Sequence, residues 1–345
     1  IVNSGAKTKT GYSVIDIFCG VGGLTHGFVL EKFNVVAGLD SDTSCKFAYE
    51  KNNKTKFIGK KLEDLKKGEV SELYPDGDIR ILVGCAPCQP FSSNNVKRPE
   101  TDKWQLLDKF ADLIEEVKPD VLSMENVLQL KTFQEGKVFG DFVRRLEHLG
   151  YYITDHRAYC PDYGVPQKRR RLVLFGYKYG PVELVKGNFE PSTYKTVKDA
   201  IEGLKSVRAG SKNREDLLHR AAGLTRINLQ RVKASKPGGS WKDWDEELRL
   251  DCHTKKKGET KGHTALSVYG RMKWNELSPT LTTQFYNLGS GRYGHPTQNR
   301  AITLREGALL QTFPKNYKFV KSEEDINFNK LGRQIGNAVP VELGR

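Results

Sequence analysis

Ser13-Val14-Ile15-Asp16-Ile17-Phe18-Cys19-Gly20-Val21-Gly22-Gly23-Leu24 decides how this chain folds. β-branched and apolar residues run into a glycine turn, and helical spacing follows to about Lys32. A strand, a tight glycine turn and a helix open a β-α-β unit, and glycines at that turn let backbone approach a ligand closely. The unit then repeats. Residues 34–39 read as a second strand ending at Asp40, 43–52 as a helix and 79–83 as a buried strand. A helix over 108–116 follows from the spacing of Phe110, Leu113, Ile114 and Val117. Residues 121–124 read as a strand leading into Glu125, 139–149 as an amphipathic helix and 171–176 as a strand. This alternation predicts an α/β fold with a doubly wound, mostly parallel sheet.

The alternation stops after Tyr177. Residues 181–275 are irregular, with turn signals at Pro237-Gly238-Gly239 and Lys257-Gly258, and regular patterning returns near Leu277. The expected organisation is a catalytic and cofactor-binding domain at 1–180, a second, smaller basic domain at 181–275, and a hinge and return over 276–345. The net charge is +14, and Lys186 to Asn275 holds 20 Lys/Arg against 11 Asp/Glu, so +9 falls in that stretch. Such a local excess favours a polyanion, most simply nucleic acid. No apolar run approaches the ~20 residues that span a bilayer, and the polar start through Tyr12 lacks a signal-peptide core. The expectation is a soluble, cytoplasmic protein. Six cysteines at irregular spacing, with a single CxxC at Cys85-Ala86-Pro87-Cys88, point to neither a disulfide framework nor a metal site.

Asp40, at the end of the second strand, can accept hydrogen bonds from both hydroxyls of a ribose. Two ligands fit a glycine turn followed by such a carboxylate: a dinucleotide, or S-adenosylmethionine. Thr25 stands where the dinucleotide fingerprint needs its third glycine, which favours the methyl donor.

Three further motifs lie beside apolar runs: Pro87-Cys88-Gln89, Glu125-Asn126-Val127 and Gln167-Lys168-Arg169-Arg170-Arg171. They supply a nucleophile, an acid and a cationic clamp. Taken singly, a strand-end cysteine is often a small buried hydrophobe, a Glu-Asn a solvated loop and a basic run a surface feature. Their order along one sheet favours a joint role.

In these motifs the chain resembles the DNA (cytosine-5)-methyltransferases of bacterial restriction-modification systems. The family's glycine motif matches Asp16 to Gly23, and its Pro-Cys-Gln, Glu-Asn-Val and Gln-x-Arg-x-Arg motifs match the three stretches above. Arg305-Glu306-Gly307-Ala308, Gln311-Thr312-Phe313-Pro314 and Gln334-Ile335-Gly336-Asn337-Ala338-Val339-Pro340 match its closing motifs. The resemblance implies an S-adenosylmethionine-dependent methyltransferase fold that methylates C5 of a flipped cytosine in double-stranded DNA. It makes Cys88 the nucleophile at C6, Glu125 the acid at N3 and Asn126 a brace for the loop beside it. Arg169 would orient the cysteine and contact the base, supported by Arg171. Phe18 would stack on adenine, Asp40 would hold the ribose, and Leu106, Asn337 and Val339 would line the cofactor, with Gly20, Gly22, Gly23, Leu24, Ser41 and Pro87 around it. The basic stretch 181–275 takes the place of the target-recognition domain. The implied partners are duplex DNA for a monomeric enzyme and, as a genetic partner only, a restriction endonuclease. A tRNA-methylating relative with the same catalytic set is the nearest rival, followed by a silent DNA-binding homologue and a nicotinamide-dependent dehydrogenase. Two positions depart from the family: Lys61, where a carboxylate usually meets the adenine amino group, and Lys103, where arginine is usual.

Overall fold

A computed structural model describes residues 11–86, 105–250 and 266–345. Pro87, Cys88, the polar loop 92–98, Lys103, Cys252 and the lysines at 255–257 lie outside the described residues. The chain forms two compact units: Ile1–Tyr159 with Arg170–Gly187 and Val341–Arg345, and Cys160–Arg169 with Asn188–Pro340.

The first unit is built on a seven-stranded sheet of order β3-β2-β1-β4-β5-β7-β6. Its strands are β1 (Tyr12–Ile17), β2 (Asn34–Leu39), β3 (Lys56–Ile58), β4 (Ile79–Gly84), β5 (Val121–Asn126), β6 (Tyr152–Tyr159) and β7 (Arg170–Tyr177). β1 to β5 run parallel, whereas β7 pairs antiparallel with both β5 and β6. The sheet is therefore mixed and mostly parallel, as the alternation predicts. The chain runs outward from β1 through β2 and β3, then crosses back to β4, so the loops after β1 and β4 diverge at the switch point. Open α/β sheets bind their ligands in the crevice at such a point.

The helices of this unit are α1 (Gly23–Leu30), α2 (Lys46–Asn53), α3 (Gln105–Val117), α4 (Lys137–His148) and the short α9 (Val341–Gly344). α3 buries Leu107, Phe110, Ala111, Leu113, Ile114 and Val117, a stripe at helical spacing that packs with Ile15, Leu82, Leu122 and Leu174 of the sheet. Burial of a Leu, Ile or Phe side chain contributes about 1.5–3 kcal/mol, so this stripe is a large part of what docks α3.

Two strands escaped the sequence reading. β3 is only three residues long, and β6 is an edge strand that alternates exposed and half-buried side chains over Thr154–Arg157, so its pattern resembles a loop. The helix expected over 43–52 begins as a 3-10 turn, Thr43–Cys45, because Asp42 accepts from the Ser44 backbone N–H there.

Among the described residues the second unit has little regular structure beyond α5 (Val197–Ile201), α6 (Arg226–Ala234), α7 (Leu304–Leu310) and α8 (Phe328–Asn337). Buried arginines take over the work of backbone ladders. Arg271 donates to the carbonyls of Val232 at 2.7 Å, Ser235 at 2.9 Å and His295 at 2.9 Å. Arg300 is fully buried and grips both oxygens of Glu306 at 2.7 Å. Burial pushes the Glu306 carboxyl up, but the Arg300 hydrogen bonds and charge outweigh it and hold the group below its ordinary value.

Candidate active site

Parallel pairing lines up the carboxyl ends of four strands. Ile17 pairs with Leu39 on one side and Gly84 on the other, and Gly84 pairs with Met124. The next residue of each strand therefore falls in one row: Asp40, Phe18, Cys85, Glu125. β7 runs the opposite way, so its start meets the end of β5, with Glu125 opposite Val173. Arg171, two residues before Val173, lies diagonally across the same face from Glu125, a spacing long side chains can bridge.

At the β1 end of the row the backbone is shaped for a ligand. Phe18 has φ 62°, a left-handed conformation that a bulky side chain rarely adopts and that clusters at functional sites. Its ring meets Phe110 edge-on at 6.3 Å. Gly20 follows with φ 51°, and nothing lies within 4 Å of where a Cβ would sit. Asp40 Oδ2 accepts from the Gly20 N–H at 2.9 Å and Oδ1 from the Asp42 N–H at 2.8 Å, so the carboxylate is fixed at the rim of the turn. Gly22, in the left-handed region, is the N-cap of α1, and Gly23 and Leu24 open that helix. Ser41 is exposed beside Asp40, and Leu106 is half-buried in the first turn of α3.

Behind the turn, Asp16 is fully buried and accepts from the Thr25 hydroxyl at 2.6 Å. Burial pushes its carboxyl up to about 7; the Thr25 hydrogen bond opposes this and the charge of Asp40 adds to it. Burial likewise pushes the Cys19 thiol well up, which leaves less of the nucleophilic thiolate.

At the β5 end, Glu125 is 6% exposed. Arg171 Nε lies 2.8 Å from its Oε1, and the Cys85 thiol donates to Oε2 at 2.9 Å. The Arg171 contact is an ion pair, and no aligned hydrogen bond reaches Oε1. Asn126 Nδ2 donates to the Ala86 carbonyl at 3.2 Å, tying the end of β5 to the segment that leaves β4. Sequence reasoning gave Arg171 the support of Arg169; its contact in the first unit is with Glu125.

Arg169, Asn337 and Val339 belong to the second unit. Arg169 is 3% exposed and its guanidinium donates to the Ala338 carbonyl at 3.4 Å. Gln167 Nε2 donates to Gln311 Oε1 at 2.9 Å, and Gln311 Nε2 donates to the carbonyls of Ile335 at 2.8 Å and Ala338 at 3.0 Å. Three stretches singled out by motif are thus locked together by buried amides. Asn337 is the exposed last residue of α8, and Val339 is buried.

The family model for C-5 cytosine-specific DNA methylases matches residues 12–345. The chain belongs to the C-5 cytosine-specific DNA methylases. As a member of that family it is a DNA (cytosine-5)-methyltransferase, which sets aside the dehydrogenase and tRNA readings. It is 51% identical over 333 residues to the type II methylase M.HgiDII of Herpetosiphon aurantiacus, covering 96% of this chain and 93% of that protein. It is 30% identical to the type II methyltransferase M.PspPI of a Psychrobacter strain, covering 96% of this chain and 77% of that one. Among solved structures, Entamoeba histolytica methyltransferase EhMeth matches with a TM-score of 0.65 at 16% identity, covering 97% of this chain and 96% of that one. A Spodoptera frugiperda DNMT2 variant matches with a TM-score of 0.63 at 14% identity over 96% of this chain and 97% of that one, which speaks for the fold alone.

Four features were not legible beforehand: in the first unit the Arg171 and Cys85 contacts of Glu125 and the raised Asp16, and in the second unit the Gln167–Gln311 lock. Asp16 and both glutamines sit inside recognised motifs, so the sequence marked those residues but not their contacts. Lys61 precedes the 3-10 turn Leu62–Asp64, where Glu63 and Asp64 are both exposed.

Proposed function

We propose that the enzyme moves a methyl group from S-adenosylmethionine to C5 of a cytosine extruded from duplex DNA, through a covalent Cys88–C6 intermediate, as the modification half of a type II restriction system. The observation that carries the reading is the row Asp40, Phe18, Cys85, Glu125 along the carboxyl edge of adjacent strands. It sets a ribose-type carboxylate and an open glycine turn on the same edge as a buried acid. A duplex hides its cytosine ring, so the base must leave the stack to reach such an edge.

The residues present suit S-adenosylmethionine. Asp40 would accept from the ribose hydroxyls, the bare backbone at Gly20 leaves room for close approach, and Phe18 offers a ring for adenine, with Gly22, Gly23, Leu24, Ser41, Pro87 and Leu106 around them. When bound, the cofactor supplies an electrophilic methyl group on a sulfonium. The chain's own residues do the rest. The Cys88 thiolate adds to C6, and the electron pair displaced from the C5–C6 bond is drawn into the ring as Glu125 delivers a proton to N3. C5, now enamine-like, takes the methyl group. Loss of the C5 proton to solvent, departure of sulfur from C6 with the bond's electron pair, and return of the N3 proton to Glu125 then restore the aromatic ring, the thiolate and the acid. The roles given to Arg169, Asn337 and Val339 rest on their motifs, as does target recognition by 181–275. The enzyme is read as a cytoplasmic monomer whose restriction endonuclease is a genetic partner only.

Bisulfite sequencing of DNA from cells expressing the protein tests this directly. The expected result is protection of one cytosine within one recurring sequence. DNA carrying 5-fluorocytosine at that position should form a cofactor-dependent adduct that survives denaturing gels, and Cys88→Ser should abolish it, because a hydroxyl is a far weaker nucleophile than a thiolate. An adduct through another cysteine, or Cys88→Ser turnover within about tenfold of the parent, would refute covalent catalysis by Cys88.

A further inference from the structure

The stretch Cys85-Ala86-Pro87-Cys88 holds two cysteines, and the reaction above uses only the second. The sheet itself places the first. Gly84 is the last residue of β4 and pairs with Met124, so Cys85 leaves the strand beside Glu125. Its backbone N–H donates to the Ile17 carbonyl at 3.3 Å, which anchors it to β1 as well. The half-buried thiol then donates to Glu125 Oε2 at 2.9 Å, while Arg171 Nε stands 2.8 Å from Oε1. The terminal torsion of a glutamate is broad and roughly two-fold. With a donor on one oxygen and a cation on the other, the carboxyl plane has one orientation.

We propose that Cys85 is a positioning residue for the acid: its thiol holds Oε2 of Glu125 while Arg171 stands against Oε1, and the two together fix the plane in which the carboxyl meets the base. The proposal rests on Glu125 acting at N3. Cys85 forms no bond to substrate and carries no proton in the reaction. Its effect passes through the carboxyl alone, which distinguishes it from a residue that merely fills space behind the loop. Arg171 alone would leave the group free to pivot about the Nε contact.

The test is single-turnover methylation of plasmid DNA bearing the mapped site, with labelled cofactor, for the parent, Cys85→Ala, Cys85→Ser, Glu125→Gln and the Glu125→Gln/Cys85→Ala double variant. Cofactor affinity by calorimetry confirms that each is folded. Cys85→Ala should lower the rate about tenfold, within the range of one hydrogen bond to a charged group, with KM for DNA and cofactor within about twofold. Cys85→Ser keeps a donor and should recover most of the loss. In the Glu125→Gln background, Cys85→Ala should cost nothing further, since residues acting through one group are not additive. Full turnover in Cys85→Ala, an equal loss in Cys85→Ser, or an additive loss in the double variant would overturn the proposal. If Glu125→Gln itself turned over at the parent rate, the role of Glu125 would fail first. A crippled Glu125→Gln beside a full-speed Cys85→Ala would sink only the role of Cys85.

Discussion

Arg171 Nε lies 2.8 Å from Glu125 Oε1, with both side chains almost wholly withdrawn from solvent. The pair exists because β7 runs antiparallel to β5, which brings a residue from the start of one strand to the end of the other. A buried ion pair adds little net stability, yet breaking one strands a charge at a cost of about 3–5 kcal/mol. Arg171→Ala should therefore lower both the melting temperature and the methylation rate. Arg171→Ala combined with Glu125→Gln should regain much of the lost stability without regaining activity. Calorimetry and single-turnover assays check the two halves separately, and an Arg171→Ala protein as stable as the parent would show that the pair does not act as a unit.

Asp40 is held by the N–H groups of Gly20 and Asp42 at the end of β2. Asp40→Ala should raise the dissociation constant for S-adenosylmethionine at least tenfold, which needs only ~1.4 kcal/mol. DNA affinity measured without cofactor should stay as it is. Unchanged calorimetric binding in Asp40→Ala would remove the cofactor from this edge.

Asp16 gives a pH signature of stability. Its folded value, pushed up to about 7 by burial, exceeds its ordinary 3.8. Between those limits the folded protein binds the extra proton, so stability falls as pH rises from about 4 to about 7 and levels off above. Below that window the contribution is fully present. The span corresponds to at most about 4 kcal/mol. In Asp16→Asn this part of the slope should vanish, so the difference in unfolding free energy between variant and parent should change across the window. A constant difference from pH 4 to 8 would mean that Asp16 does not titrate there.

The basic excess between Lys186 and Asn275 predicts steep salt dependence of DNA binding. For about six phosphate contacts the log–log slope should be near −5. Fluorescence anisotropy across a salt series measures it directly. A slope shallower than about −2 would mean that the +9 excess is not the DNA footprint.

The sequence by itself determined the strands β1, β2, β4, β5 and β7, the helices between them, the glycine turn and the chemical types at Asp40, Cys88 and Glu125. These were legible because buried parallel strands are continuous apolar runs, and because a turn that needs a left-handed backbone calls for glycine. Tertiary structure alone decided the partners. The reversal of β7 against β5 is a long-range pairing with no local pattern, and it is what sets Arg171 against Glu125. The alignment of β4 with β5 is equally non-local, and it turns Cys85 from half of a CxxC into a donor on a buried carboxyl. The raised carboxyl of Asp16 depends on how completely the folded chain buries it. Periodicity records which residues are buried, and which groups then face one another is fixed by strand register and order.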